Sequence, residues 1–99
     1  MNATWKACER RIAVLLGSRR VLVTGRQRGD EPDIEHDQLS LEVKHRKELP
    51  GWLHDAMSQA QAANRDHQLP AVILHGKGMD YSTSMVLMRL DDFIDRFGS

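Results

Sequence analysis

The stretch EPDIEHDQLSLEVKH, from Glu31 to His45, decides how this chain is read. It divides into two short strands, DIEH (33–36) and LSLEVKHR (39–46), with Asp37 and Gln38 at the turn between them. Side chains alternate along a strand, so Leu39, Leu41 and Val43 point one way while Ser40, Glu42 and Lys44 point the other. Asp33 opens the preceding strand, and a turn near Asp37 carries it across to Glu42 and Lys44. Two carboxylates and an ammonium therefore gather on the polar face of a segment whose other face is apolar.

Two physical accounts fit that gathering. One is a salt bridge on a solvated hairpin face, a common use of Glu-x-Lys. The other is a divalent cation, which relieves the repulsion between neighbouring carboxylates. Oxygen ligands of this kind suit Mg²⁺ or Mn²⁺ rather than zinc, and the backbone carbonyl of Val43 lies between the two charged side chains as a further oxygen. Lys44 is then placed to orient a water and to stabilise negative charge developing at phosphorus.

Outward from the hairpin, the spacing predicts a helix over Asn2–Leu16, capped by Asn2, with Trp5, Cys8, Ile12, Leu15 and Leu16 on one apolar stripe and Gly17 as its stop. Glu9 shares a row with Trp5, Ile12 and Leu16, so a carboxylate interrupts the face that should pack inward, where it needs a partner. RRVLVTG (19–25) reads as a strand and RQRGDEP (26–32) as a polar loop. After the hairpin, LPGWLHDAMSQAQAANRDHQ (49–68) opens with Pro50 near a helix start and places Trp52, Leu53, Ala56, Met57, Ala60 and Ala63 at helical spacing. LPAVILHG (69–76) is an apolar run expected to form a buried strand. KGMDYSTS is a loop, MVLMRL a strand and DDFIDRF a terminal helix. The order α-β-β-β-α-β-β-α predicts one α/β (α+β) domain over residues 1–99, a mixed central sheet flanked by helices.

The bulk numbers set limits. With 99 residues there is room for one modest core, and pairing with a second copy is expected to add stability. Cys8 is the single cysteine, which excludes a disulfide framework and a cysteine-based zinc site and suits a reducing cytoplasm. No segment has the run of about 20 apolar residues that a membrane span requires, and the first residues lack signal-peptide order. The net charge of zero hides a split. Residues 1–29 hold seven Lys/Arg (among them Arg10, Arg19, Arg20, Arg26 and Arg28) against Glu9 alone, so the remainder is acidic. A basic third of this kind suits a phosphate backbone, with Arg46 added from the hairpin.

These residues resemble the PD-(D/E)xK nuclease superfamily, and by size and layout the small archaeal-type Holliday-junction resolvases and their phage relatives. The carriers of the resemblance are a helix bearing Glu9, a strand, a basic Gly-containing loop, Pro32-Asp33, and Glu42-Val43-Lys44 followed by a helix and a strand. The resemblance implies a restriction-endonuclease-like fold and metal-dependent hydrolysis of DNA phosphodiesters. It implies Asp33, Glu42 and the Val43 carbonyl as ligands of Mg²⁺ or Mn²⁺, Lys44 as the catalytic lysine, and Glu9 as completing the acidic set through metal or water. Gln59, or Gln61, corresponds to a Gln that assists the site in many members. The implied partner is branched or distorted DNA, cut by a homodimer in the cytoplasm of a cell or of a phage-bearing host. One departure is the loop after the first strand: resolvases often place a Ser there, and Thr24 is the nearest hydroxyl here.

Within the enzyme class a nicking or restriction-type nuclease is the alternative; outside it, a non-catalytic DNA-binding or assembly protein that keeps the fold. Other constellations are weaker. The five histidines lack zinc-ligand spacing. HGKGMDYS lacks the spacing of a phosphate-binding loop, and Ser82-Thr83-Ser84 has no evident base.

Overall fold

The computed structural model describes residues 4–17, 19–20 and 33–98, with the backbone alone at 19 and 20. The Asn2 cap, the strand expected beyond Arg20, and the loop holding Thr24, Arg26 and Arg28 lie outside the described residues. The described chain is mixed α/β and forms two compact units, residues 1–47 and residues 48–98.

The first unit opens with helix α1 (Thr4–Leu15). It ends where expected: Gly17 takes a φ of 67°, the left-handed conformation that glycine adopts without penalty, and its N–H donates to the Val14 carbonyl at 3.0 Å. Strand β1 (Arg19–Arg20) pairs antiparallel with β2 (Ile34–Glu35), setting Arg19 opposite Glu35 and Arg20 opposite Ile34. Helix α1 packs on both strands. The buried positions are Glu9, Ala13 and Leu16, with Cys8 and Ile12 half-buried beside them, and Ile34 is fully enclosed. The stripe expected from spacing is therefore corrected. Trp5 and Leu15 lie on the exposed side, 44% and 58% accessible, while Ala13 takes a central inward position. Eight of the twelve positions from 5 to 16 are apolar, so spacing alone does not fix the inward face. A face containing a small residue allows closer approach of helix to strand.

The third expected strand, the second of the hairpin, contracts to a single bridge, Ile34 to Leu41, in place of a strand over 39–46. The cause is visible in the hydrogen bonds. The Asp33 N–H donates to the Leu41 carbonyl at 2.7 Å, but the Val43 N–H donates to the Asp33 carboxylate at 2.6 Å. A side chain takes the donor that a regular ladder would have used.

In the second unit, helix α2 (Gly51–Ala62) follows Pro50, whose φ of −54° and ψ of 137° hold the chain extended at the helix entrance. Strand β3 (Val72–Leu74) pairs antiparallel with β4 (Met85–Leu87), Ile73 opposite Val86. Helix α2 packs on β3. It buries Met57 and half-buries Leu53, Ala56 and Ala60. Trp52, expected in that stripe, is 60% exposed. The expectation of a buried strand over 69–76 is also corrected. Ile73 is 64% exposed and its cross-strand partner Val86 59%, because they share one face of a two-stranded ribbon while Val72, Leu74 and Leu87 occupy the half-buried face. Helix α3 (Leu90–Phe97) closes the unit, with Asp91 and Asp92 in its first turn and Arg96 in its last, each placed favourably to the helix dipole. Among the described residues no helix is long and apolar enough to cross a membrane.

Candidate active site

The hairpin of the first unit carries the candidate residues. Ile34 fills the core, so its neighbours Asp33 and Glu35 fall on the opposite face of the strand. Next to the isolated Ile34–Leu41 bridge, the Asp33 N–H donates to the Leu41 carbonyl, which brings Asp33 beside the start of Glu42-Val43-Lys44. Asp33 is half-buried and its Oδ2 is engaged by the Val43 N–H, a short charge-assisted bond that fixes the carboxylate against the backbone of Glu42-Val43-Lys44. Lys44 Nζ lies 3.3 Å from Glu42 Oε2, with Lys44 66% and Glu42 59% exposed. That exposure limits the ion pair to roughly 0–1 kcal/mol, so either partner can turn to another ligand at small cost.

Glu9 is 6% exposed, on the inward face of α1, as its position in the helical row suggested. It is partnered, and no buried side-chain oxygen or nitrogen among the described residues lacks a hydrogen bond. Among the described residues no three His, Cys, Asp or Glu side chains gather as a metal cluster. Asp33 and Glu42 thus stand as a pair of carboxylates, without Glu9 beside them as a third. The donors present are hard oxygens, the Asp33 and Glu42 carboxylates and the Val43 carbonyl. That chemistry fits Mg²⁺ or Mn²⁺, which accept few protein ligands and complete their shell with water.

Of the cationic residues expected to meet DNA, Arg10 and Arg46 are exposed. Arg46 Nη1 donates to the His45 carbonyl at 3.0 Å. Arg19 and Arg20 are described by their backbone only, and Arg26 and Arg28 lie outside the described residues. Gln59 and Gln61 are exposed on α2, in the second unit. Gln59 lies off the inward face of α2, which Leu53, Ala56, Met57 and Ala60 define.

Two features of the second unit escape the sequence. One is an open pocket of about 300 Å³ lined by Gln61, Asn64, Gln68, Asp92, Asp95 and Arg96. Arg96 of its lining donates from Nη2 to the carbonyl of His67 at 2.8 Å, and His67 has a φ of 69°. The other is a ring stack between His75 and Tyr81 across the β3–β4 loop, with centroids 4.7 Å apart and planes within 10°. A His and a Tyr flanking a Gly-x-Gly loop were the only sequence trace of it.

Comparison with protein-family models, with curated proteins and with solved structures returned no match.

Proposed function

We propose that the chain is a metal-dependent DNA endonuclease of the PD-(D/E)xK type, with a restriction-endonuclease-like fold and selectivity for branched or distorted DNA. The observation that carries the reading is the Asp33 carboxylate bonded to the Val43 N–H, which ties Asp33 to the Glu42-Val43-Lys44 segment. The element order, helix, strand, hairpin, helix, ribbon and helix, supports it. So does charge, since residues 1–47 hold ten Lys/Arg against seven Asp/Glu in the same unit as the hairpin.

In this reading Asp33 and Glu42, with the Val43 carbonyl, hold Mg²⁺ or Mn²⁺. A divalent ion so bound supplies charge neutralisation for a phosphodiester and lowers the pKa of water. Asp33 enters that role already oriented, because Val43 fixes one of its oxygens. Lys44 leaves its weak pairing with Glu42 and directs its ammonium to the phosphate, where it stabilises the charge that grows as the attacking oxygen approaches. Glu9 acts from the buried side of α1 on the acidic set, through water. Arg10, Arg46 and the arginines of residues 19–28 meet the backbone phosphates, which sets affinity without base readout. The shape of the DNA carries selectivity, and a homodimer supplies the two sites that paired incisions need.

The 3.3 Å Glu42–Lys44 pair is also what a plain surface salt bridge looks like, which is the reading of a non-catalytic binding protein with this fold. Lys44→Ala separates the two. Under single turnover in Mg²⁺ the variant is expected to cleave about 10²–10³-fold more slowly, with DNA binding largely retained. An unchanged rate returns Glu42 and Lys44 to a salt bridge.

A further inference from the structure

The β3–β4 loop holds an aromatic ring that the core does not use. Tyr81 is 85% exposed, an unusual position for a side chain that loses much by facing water. It is nevertheless held in place. One face stacks on His75, whose Nε2–H donates to the Met79 carbonyl at 3.1 Å. The backbone beneath is a knot of short-range bonds. Met79 N–H donates to the Gly76 carbonyl at 3.0 Å, and Thr83 N–H and Oγ1–H both donate to the Asp80 carbonyl, at 3.1 and 2.9 Å. Ser84 Oγ–H donates to the carbonyl of Tyr81 itself at 2.8 Å. The turn between ring and ring carries Lys77, which makes no ion pair with any described residue. Gly78 beside it has a φ of 89° that side chains rarely adopt.

A rigid aromatic with one open face, next to an uncommitted cation, is the equipment for stacking an unpaired nucleobase. Because the ring is already ordered by His75, little rotamer entropy is lost when a base covers it. We infer that Tyr81, ordered by His75 and flanked by Lys77, is a stacking platform for an unpaired base of single-stranded DNA, with Lys77 on the adjoining phosphate. The inference deepens the nuclease reading and rests on it for the choice of DNA, since branched and distorted substrates expose unpaired bases. The second unit is acidic, with four Lys/Arg against seven Asp/Glu over residues 48–99, and Asp80 sits in the loop itself. Stacking rather than long-range attraction therefore carries the contact. A single lysine–phosphate contact gives a salt slope of about 0.7 or less.

The test uses the full chain in excess chelator, which prevents cleavage. It is titrated with a short single-stranded oligodeoxynucleotide carrying one 2-aminopurine, and with an abasic oligonucleotide of the same length. Binding should quench the 2-aminopurine, as base–aromatic stacking does. Tyr81→Leu should weaken binding of the base-containing strand about tenfold, a base–aromatic stack's worth, and leave the abasic strand unaffected. Tyr81→Phe should retain the wild-type affinity and quenching. Circular dichroism of Tyr81→Leu should match wild type, since the ring it removes is on the surface. Equal affinity of wild type and Tyr81→Leu for the base-containing strand, or binding by wild type without quenching, overturns the platform. The outcome is separable from the hairpin chemistry. Cleavage that depends on Lys44, together with unaltered binding by Tyr81→Leu, removes this inference alone. Stacking lost on Tyr81→Leu, together with Lys44-independent behaviour, removes the nuclease reading alone.

Discussion

Removing the Asp33 carboxylate pits two electrostatic effects of opposite sign against each other. In the metal-free protein, Asp33→Ala deletes the acceptor of the 2.6 Å bond from the Val43 N–H. A hydrogen bond to a charged group contributes roughly 1.5–3 kcal/mol, and the half-buried Val43 N–H regains only part of that from water. The same change relieves like-charge repulsion with Glu42. Two unit charges about 6 Å apart in water repel by roughly 0.7 kcal/mol, and Lys44 at 3.3 Å from Glu42 offsets some of it. The hydrogen bond wins, so Asp33→Ala should destabilise by about 1–2 kcal/mol. For a domain of this size that lowers Tm by roughly 4–16 °C. Asp33→Asn keeps a neutral acceptor and should lose about half as much. Thermal melting in chelator orders the three proteins, and hydrogen exchange at the Val43 amide reports the bond itself. Faster exchange at Val43 should accompany the loss of stability. If both variants melt above wild type, repulsion dominates and the carboxylate does not hold the hairpin. If Val43 exchange is unchanged, the bond does not exist in solution.

Other consequences follow from burial. Ile34 is fully enclosed between α1 and the hairpin, so Ile34→Ala should cost about 2–5 kcal/mol by denaturant unfolding, and a loss under 1 kcal/mol would contradict the packing of the first unit. Glu9→Gln keeps the shape of a side chain that is 6% exposed while removing its charge. It should raise the Mg²⁺ concentration needed for cleavage and lower the rate; identical metal titrations would separate Glu9 from the site.

Much of the first unit was legible in the sequence because its signals are local. Gly17 ends α1 through its own backbone conformation, and the period-2 alternation put Glu42 and Lys44 on one face without reference to any distant residue. What failed depends on which of several apolar faces a neighbour covers. Trp5 and Leu15 compete with Ala13 and Leu16 for the inward side of α1, and hydrophobicity alone ranks them wrongly, because a small residue permits close approach. Ile73 read as part of a buried strand, yet a two-stranded ribbon has two faces and α2 packs against β3. The shortening of the third strand was hidden for another reason. The donor of Val43 goes to a side chain, and no periodicity records a competition between a carboxylate and a ladder. In the candidate site the meeting of Asp33 with Glu42-Val43-Lys44 was legible from hairpin register. The His75–Tyr81 stack was not, since it arises from the path of a loop.

The central claim is hydrolysis of DNA at the Asp33, Glu42 and Lys44 hairpin, and a cleavage panel tests it directly. Wild type and Glu42→Gln are incubated with labelled linear duplex, nicked, flap and four-way DNA, each in Mg²⁺, in Ca²⁺ and in chelator. The account predicts cleavage by wild type in Mg²⁺, strongest on the branched substrates, binding without turnover in Ca²⁺, none in chelator, and none by Glu42→Gln. Failure of wild type to cut any of the four DNAs in Mg²⁺ or Mn²⁺, or equal cutting by Glu42→Gln, would contradict it.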